Sequence, residues 1–292
     1  MQIDENIYNE LERLGLLRTN ISNIEEMRNK DGIYLYRVEY GSEFCVLKYF
    51  LNEEFRREIE NYNVLRALNV PTINVIGCTD KSIFLEDLEN SEEYRLGVKE
   101  DLSDIETVRV LAKWYIKLHD EGAKYVACNN GKRFYRETDS ITKENIEMVK
   151  KKSNTEDNEL WDIIIKNFDS VLKKINSAEE TLTYNDFYWT NLAVSRDRKE
   201  ALMFDYNFLG IGFRYNDVRN VCASLSEEAG KVFLEEYGHI DEREKIIDEG
   251  ISILFNLIAA YERPEFPNWA QESLDDIHNG KLKEAFVRIL DL

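Results

Sequence analysis

Two short apolar runs around a polar turn, in the second half of the chain, constrain its fold more than any other stretch. The runs 192–194 (Leu-Ala-Val) and 201–204 (Ala-Leu-Met-Phe) enclose the turn-prone segment 195–200. Such a pattern predicts a β-hairpin. Because antiparallel strands begin and end side by side, Asn191, which precedes the hairpin, and Asp205, which follows it, should lie at the same end.

The side chains at that end suit a hard cation. A carboxylate and an amide oxygen are ligands that Mg²⁺ accepts, with phosphate oxygens completing its coordination. Asp186 lies in the loop just before the hairpin, where its carboxylate would accept a proton from a hydroxyl-bearing substrate. The alternative is that Asp186 and Asn191 only form a turn, since both residue types favour turns. We predict Asn191 and Asp205 as metal ligands and Asp186 as the catalytic residue.

The order of these residues resembles a known family. An Asp, four residues and an Asn, with a second Asp after a hairpin, is the order of the kinase catalytic loop and its metal-binding Asp. The stretch is similar to the aminoglycoside phosphotransferase and choline kinase family, with Asp186, Asn191, Asp205 and Asp217 on the four matching positions. It departs from the family where Tyr184-Asn185 replaces the usual His-Gly, and where Tyr-Asn follows Asp205.

The resemblance implies a two-lobed, protein-kinase-like α+β fold, with a small antiparallel sheet in the N-terminal lobe and a mainly helical C-terminal lobe. It also implies Mg²⁺ as cofactor and ATP or GTP as phosphoryl donor. We place the nucleotide-binding lobe at residues 1–88 and the helical lobe, with the catalytic loop and acceptor site, at residues 89–292. In such kinases Asp217 would brace the catalytic loop, whereas by position alone it could also cap a helix.

A lysine within an apolar strand points to the donor site. Alternation over 34–40 and the apolar run 44–50 predict two strands, and Lys48 lies in the second. A lysine in such a strand needs a charge partner or an escape to solvent. The following helix offers Glu58 beside its apolar stripe, with Glu60 as a rival. By the resemblance, Glu58 would hold Lys48 against the nucleotide phosphates.

Two more segments take nucleotide-binding roles by position in the resembling family. The polar loop 28–32 lies where kinases fold a loop over the phosphates, although an ordinary hairpin would have the same sequence. The segment 86–88 follows a predicted strand, where related kinases bind the adenine edge through main-chain groups. We therefore assign Glu86 and Leu88 to the nucleotide site.

Apolar spacing predicts that the second lobe is helical. Helices are predicted over about 103–120, 143–152 and 159–175. His119 would end the first of them, where it would interact favourably with the helix dipole. We interpret His119 as structural.

Composition limits the partners of the chain. A net charge of −19 repels nucleic acid and anionic membranes, and it favours either cationic partners or plain solubility. No apolar run approaches a membrane span, and the first 18 residues lack a signal-peptide pattern. The cysteines have no paired spacing, which predicts free thiols in a reducing compartment. We expect a cytoplasmic protein that binds neither nucleic acid nor membrane.

The acceptor has alternatives. Carboxylates of the C-terminal helices, such as Glu272 and Asp275, suit an aminoglycoside-like polycation, our first hypothesis. Tyr261, Phe266 and Trp269 would suit the quaternary ammonium of choline, and ethanolamine and sugars are further alternatives. Both sets could also be surface charge or core packing. A nucleotide-binding but inactive kinase-like protein, or an acidic helical interaction module, are hypotheses of another class.

Overall fold

The structure, a computed structural model, describes residues 5–129 and 134–292. The chain divides into two compact units, each assembled from separate stretches. The first unit contains Met1–Glu121, Asp186–Leu209 and Val221–Tyr237, and the second contains Gly122–Asn185, Gly210–Asn220 and Gly238–Leu292.

An antiparallel sheet of five strands occupies the N-terminal part, in the order β1-β2-β3-β5-β4. Its strands are β1 (Ile21–Lys30), β2 (Ile33–Tyr40), β3 (Glu43–Phe50), β4 (Val75–Cys78) and β5 (Ser82–Glu86). The strands predicted over 34–40 and 44–50 are confirmed as β2 and β3. Sequence reasoning missed β1, because its mostly exposed and polar residues show no regular apolar alternation.

Two helices accompany this sheet. Ile7 and Leu11 of α1 (Glu5–Arg13) are buried in one cluster with Val38 and Leu47 of the strands. The second helix, α2 (Arg57–Ala67), connects β3 to β4 and brings Glu58 into the interior. Helix α1 therefore packs against the sheet, and α2 places the Glu58 carboxyl in the interior of the protein.

The predicted hairpin is present. Its strands β8 (Leu192–Ser195) and β9 (Ala201–Met203) pair antiparallel, with Leu192 opposite Met203. A short strand, β6 (Tyr94–Leu96), adds to β8 and gives the order β6-β8-β9. Every residue of β8 and β9 is buried, so the register of the hairpin, and with it the position of its flanking residues, is fixed by packing.

The remaining elements are mainly helical. The helices are α3 (Ile105–Asn129), α4 (Lys143–Lys152), α5 (Glu159–Lys166), α6 (Phe168–Ile175), α7 (Arg214–Ser224), α8 (Glu227–Tyr237), α9 (Glu242–Tyr261), α10 (Gln271–His278) and α11 (Lys281–Asp291). Strand β7 (Thr181–Thr183) pairs antiparallel with β10 (Gly210–Gly212). The second unit has its own apolar core, in which Trp161, Leu254 and Phe286 are completely buried.

Two predicted helix boundaries are wrong. Helix α3 continues to Asn129, so His119 lies inside it, buried, with Nδ1 2.7 Å from the Tyr237 hydroxyl. A buried polar contact and not the helix dipole therefore explains this histidine. The helix predicted over 159–175 is two helices, because Asn167 leaves helical geometry and its side chain donates to the main-chain oxygen of Ile163.

The four cysteines are free, as predicted. Within residues 5–129 and 134–292, no helix combines the length and the apolar composition that crossing a membrane requires.

Candidate active site

Lys48 of β3 lies between two carboxylates. Its Nζ is 2.6 Å from Glu58 Oε2 and 2.9 Å from Asp205 Oδ1. The predicted partner Glu58 is thus confirmed, while its rival Glu60 is exposed. Burial alone would lower the pKa of Lys48, but the two carboxylates more than offset this and raise it above its usual value. The lysine is therefore charged inside the protein, where only 5% of its surface is exposed.

Glu58 is held in place by the segment that follows the hairpin. The main-chain N–H of Tyr206 favours the ionised form of Glu58 and, like Lys48, acts to lower the pKa of its carboxyl. Three residues after Glu58 in α2, the Asn61 side chain donates to the Tyr206 main-chain oxygen at 2.8 Å. Burial raises the pKa of Glu58 to about 7, although Lys48 acts in the opposite direction. Helix α2 and the segment that follows the hairpin are therefore joined by the Asn61 hydrogen bond and by Lys48, which contacts both Glu58 and Asp205.

Asp205 uses one carboxylate oxygen for hydrogen bonds within the protein, and its second oxygen remains available to a ligand. Its Oδ1 accepts from Lys48 and, at 3.0 Å, from Asn207 Nδ2. Burial would raise the pKa of Asp205, but Lys48 and Asn207 lower it below its usual value, so the carboxylate is ionised. Its φ of 64° lies in the left-handed region, which turns the chain sharply directly after β9. Sequence reasoning missed Asn207; an amide two residues after a predicted metal ligand was the available signal.

Asn191 connects the hairpin to Asp186. Its main-chain oxygen accepts from the Phe204 N–H at 2.9 Å, which continues the hairpin pairing and brings Asn191 beside the residue before Asp205. Its side-chain Nδ2 donates to Asp186 Oδ2 at 3.0 Å. Burial, and then the nearby Asp205, raise the pKa of Asp186 to about 6. Asp186 is therefore oriented by Asn191 and has a pKa close to neutrality.

The oxygens that remain available fit a hard divalent cation. Asn191 Oδ1 and Asp205 Oδ2 accept no hydrogen bond from the described part of the chain, and both residues line one cavity. Across those described ranges, no three His, Cys, Asp or Glu side chains form a cluster that could hold a metal. An ion here would consequently take its other ligands from phosphate or water, which is how Mg²⁺ is usually bound.

The cavity is mainly apolar and has a volume of about 250 Å³. Its lining includes the predicted residues Lys48, Glu58, Glu86, Leu88, Asn191 and Asp205, together with apolar side chains of the sheet and the hairpin: Leu35, Val46, Leu85 and Phe204. Arg28 is the residue of the loop 28–32 that reaches it. Asp186 does not line this cavity, but it accepts a hydrogen bond from Asn191, which does.

Glu86 and Leu88 both line the cavity, but they differ in which of their polar groups are already hydrogen-bonded. The Glu86 carboxylate accepts from the Asn74 main-chain N–H at 2.9 Å, so its side chain is occupied. The Leu88 side chain is buried, and its main-chain N–H donates to no acceptor within the described residues. Between them, Asp87 is fixed by Arg37, whose Nε lies 2.5 Å from Asp87 Oδ2.

Asp217 braces the residues before Asp186. Its Oδ2 accepts from the Tyr184 N–H at 2.7 Å, and its Oδ1 accepts from the Asn185 N–H at 2.9 Å. It lies within α7 and not at its cap, so the bracing interpretation is confirmed. Asn185 has a φ of 65°, a conformation that favours glycine and in which Asn is also enriched. Asn185 therefore adopts here a conformation that glycine, the residue usual at this position in the resembling family, would also allow.

The fold and this arrangement define a kinase-like protein, with a sheet-rich N-terminal part and a helical C-terminal part. The chain belongs to the phosphotransferase enzyme family, whose model matches residues 35–249. The predicted resemblance and the predicted α+β fold class are both confirmed.

Solved structures with the same fold act on different small molecules, according to their names. A macrolide 2'-phosphotransferase from Brachybacterium faecium is 16% identical, with a TM-score of 0.58, covering 95% of this chain and 98% of its own. A choline kinase from Streptococcus pneumoniae is 12% identical, with a TM-score of 0.58 and the same coverage, 95% and 98%. A spectinomycin phosphotransferase in complex with ADP and spectinomycin is 11% identical, with a TM-score of 0.58 and full coverage, 100%, of both chains. No curated protein sequence matches the chain.

The aromatic residues considered as a cage make other contacts. The rings of Tyr261 and Phe266 lie 4.8 Å apart and pack against the apolar core of the second unit. The guanidinium of Arg263 lies over one face of the Trp269 ring, 5.5 Å from its centroid. The choline alternative stays a prediction.

Proposed function

We propose that this protein is a small-molecule kinase that transfers the γ-phosphoryl group of ATP or GTP to a hydroxyl group of a small cationic acceptor. One observation carries the proposal: a continuous series of polar contacts runs from Glu58 through Lys48 to Asp205 along one cavity. Asn191 lines the same cavity and orients Asp186. Phosphoryl transfer depends mainly on positioning and charge neutralisation, which is what such a series supplies.

The cavity would hold the nucleotide. The Lys48 ammonium has three N–H donors, of which Glu58 and Asp205 occupy two, so the third is available to a phosphate oxygen. The apolar lining suits a purine, and the main-chain N–H of Leu88 would donate to its edge. Asn191 and Asp205 would hold Mg²⁺, which when bound supplies positive charge against the phosphates.

Asp186 would orient the acceptor hydroxyl and take its proton. Its Oδ2 is engaged by Asn191, which leaves Oδ1 for the substrate. A carboxylate with a pKa of about 6 is ionised at neutral pH and still basic enough to accept a proton as the oxygen–phosphorus bond forms. The strongly negative net charge of −19 favours a cationic acceptor, and the cytoplasm remains the proposed location.

A panel of acceptors tests this function. Aminoglycosides, ethanolamine, choline and neutral sugars are each incubated with ATP or GTP, with Mg²⁺ or with EDTA, and ADP or GDP release is measured. We expect Mg²⁺-dependent release with at least one cationic acceptor above the rate without acceptor. Tight Mg²⁺-nucleotide binding without acceptor-dependent release across the panel would favour an inactive kinase-like protein instead.

A further inference from the structure

One of the cations that line the cavity of the candidate active site contacts no carboxylate. Lys48 contacts both Glu58 and Asp205. Arg28 of β1 lines the same cavity, yet its guanidinium makes no hydrogen bond or ion pair within residues 5–129 and 134–292. In a chain with a net charge of −19, an arginine at a cavity that contacts no carboxylate is available to an anionic ligand.

The pairing of the strands places Arg28 and Lys48 on one face of the sheet. Arg28 lies opposite Leu35 in the pairing of β1 with β2, and Leu35 lies opposite Lys48 in the pairing of β2 with β3. Residues directly opposite each other project from the same face, and all three line the cavity. Their main chains are two strand spacings apart, about 10 Å from Arg28 to Lys48. Two cations therefore face the cavity from one row of the sheet.

A bulge in β1 determines which residue takes this position. Glu26 lies opposite Tyr36 and Arg28 lies opposite Leu35, so Met27 is an extra residue between them. Without the extra residue, Met27 would lie opposite Leu35, and Arg28 would project from the other face of the sheet. Bulges commonly redirect side chains next to active sites, and this one brings an arginine to the cavity face.

The turn between β1 and β2 explains why a side chain is needed there. It consists of only two residues, Asp31 and Gly32, with φ values of 55° and 79°. The N–H of Leu51 donates to the Gly32 main-chain oxygen at 2.9 Å, and Asn52 Nδ2 donates to that of Asp31 at 3.1 Å. Many kinases cover the phosphates at this position with a glycine-rich loop. A two-residue turn held by two hydrogen bonds is too short to fold over them.

We infer that Arg28 binds the polyphosphate chain of the donor nucleotide beside Lys48, in place of a glycine-rich loop. The guanidinium is a planar fork of five N–H donors, which matches phosphate oxygens two at a time. Lys48 supplies a compact charge at the other end of the row. The inference rests on the proposed kinase function and adds a residue to its donor site.

Calorimetry tests the binding directly, without any acceptor. The wild type, Arg28→Gln and Arg66→Gln are titrated with the Mg²⁺ complexes of ATP and GTP, and with adenosine and guanosine. We expect Arg28→Gln to bind the triphosphate about tenfold more weakly, the loss of one charge-assisted hydrogen bond, and the nucleoside as the wild type does. Higher ionic strength should narrow the difference, because Arg28 is exposed.

Arg66→Gln is the matched control. Arg66 is an exposed arginine of α2 that does not line the cavity, so the same loss of charge there should leave triphosphate binding unchanged. Melting temperatures of both variants should equal that of the wild type, since neither side chain is buried. If Arg28→Gln bound the triphosphate as Arg66→Gln does, or lost nucleoside affinity by the same factor, Arg28 would be only a solvated surface residue and the inference would be overturned.

Kinetics separate the inference from the proposed function. With an acceptor of the panel that is turned over, Arg28→Gln should raise KM for the donor by about tenfold and leave KM for the acceptor unchanged. Triphosphate binding that depends on Arg28, without turnover of any acceptor, would support this inference and contradict the proposed function. Turnover by the wild type with a donor KM that Arg28→Gln does not change would do the reverse.

Discussion

Asp186 is the residue on which turnover should depend most directly. Replacing it with Asn keeps its size and its contact with Asn191 but removes the basic oxygen. We expect Asp186→Asn to lower kcat by about 10²–10⁴-fold, the usual contribution of a positioned base, while the affinity for Mg²⁺-nucleotide stays the same. Steady-state kinetics with a substrate of the panel and calorimetry with the nucleotide check the two parts.

Asp169→Asn is the matched control for this variant. The Asp169 side chain is 93% exposed, so the same change of charge there should leave both quantities unaltered. Wild-type turnover by Asp186→Asn would remove Asp186 from the catalytic role.

The buried pair of Lys48 and Glu58 should stabilise the fold as well as hold the nucleotide. In Lys48→Met, Glu58 loses its partner while it is completely buried, and removing one member of a buried pair typically costs about 3–5 kcal/mol. The double variant Lys48→Met/Glu58→Leu removes the unpaired Glu58 carboxylate, although Asp205 still lacks Lys48 and keeps only its contact with Asn207, so it should recover part of that loss. Urea unfolding measures the free energies.

The exposed pair Lys166–Asp162 provides the comparison for that experiment. Its two side chains are 72% and 69% exposed, so Lys166→Met should cost at most about 0.5 kcal/mol. If the double Lys48/Glu58 variant were less stable than Lys48→Met, the unpaired Glu58 carboxylate could not be the source of the loss.

At the level of single residues, the sequence predicted the side chains whose partners follow from local spacing. Lys48 and Glu58 lie on consecutive elements, β3 and α2, and form an ion pair. Asn191 and Asp205 flank one hairpin. The proximity within each pair therefore follows from short-range geometry. Glu137 and Asp248 lie more than a hundred positions apart in the sequence and line one cavity of the second unit, which no local pattern predicts.

At the level of elements, Gly122 lies just beyond the predicted end of the helix over 103–120. Glycine is a poor helix former, yet α3 passes through Gly122 to Asn129. A Cβ on Gly122 would lie 2.7 Å from the main-chain nitrogen of Leu182 and 2.7 Å from Thr181 Oγ1. The glycine therefore permits the close approach of β7 and does not end the helix.

Gly122→Ala should consequently destabilise the protein, although Ala is the better helix former. We expect a loss of about 1–3 kcal/mol from the overpacking. Gly230→Ala in α8, where an added Cβ meets nothing within 4 Å, should instead stabilise by about 0.5–1 kcal/mol. Thermal and urea unfolding of the two variants give the signs, and a stabilised Gly122→Ala would mean that β7 yields easily.

Elements with a strong apolar period were predicted well. Helix α4 has the predicted bounds, β8 exceeds the predicted run 192–194 by Ser195, and β9 lies within the run 201–204. Strand β1 was missed because its pairing with β2, and not its own side chains, makes it a strand. Local sequence predicts the elements that bury one apolar face. It predicts much less well a strand such as β1, which forms because a neighbouring strand pairs with it.

At the level of the whole molecule, the fold was predictable because four polar positions in register define a kinase-like arrangement that few other folds share. The division of the chain into two compact units was harder to predict from the sequence. Both compact units combine stretches far apart in sequence, whereas a linear sequence suggests contiguous lobes, and the predicted boundary at residue 88 remains a prediction.

Buried carboxyls should make the stability of the whole protein depend on pH. Burial raises the pKa of Glu244 from its usual 4.5 to about 7, and the Tyr215 N–H offsets this only in part. Between these two values the folded state retains a proton that the unfolded state releases, so stability is greatest below pH 4.5 for this group and falls as pH rises towards 7. The contribution lost is at most about 3 kcal/mol.

Glu244→Gln removes this titration and should raise the melting temperature at pH 8 while changing it little at pH 5. Its melting temperature should therefore vary less with pH than that of the wild type, and Glu272→Gln, at an exposed position of α10, should follow the wild type. The measurement is calorimetry of the three proteins between pH 5 and pH 8. A Glu244→Gln profile parallel to that of the wild type would show that Glu244 is ionised in the folded protein, with the Tyr215 N–H and nearby cations compensating for its burial.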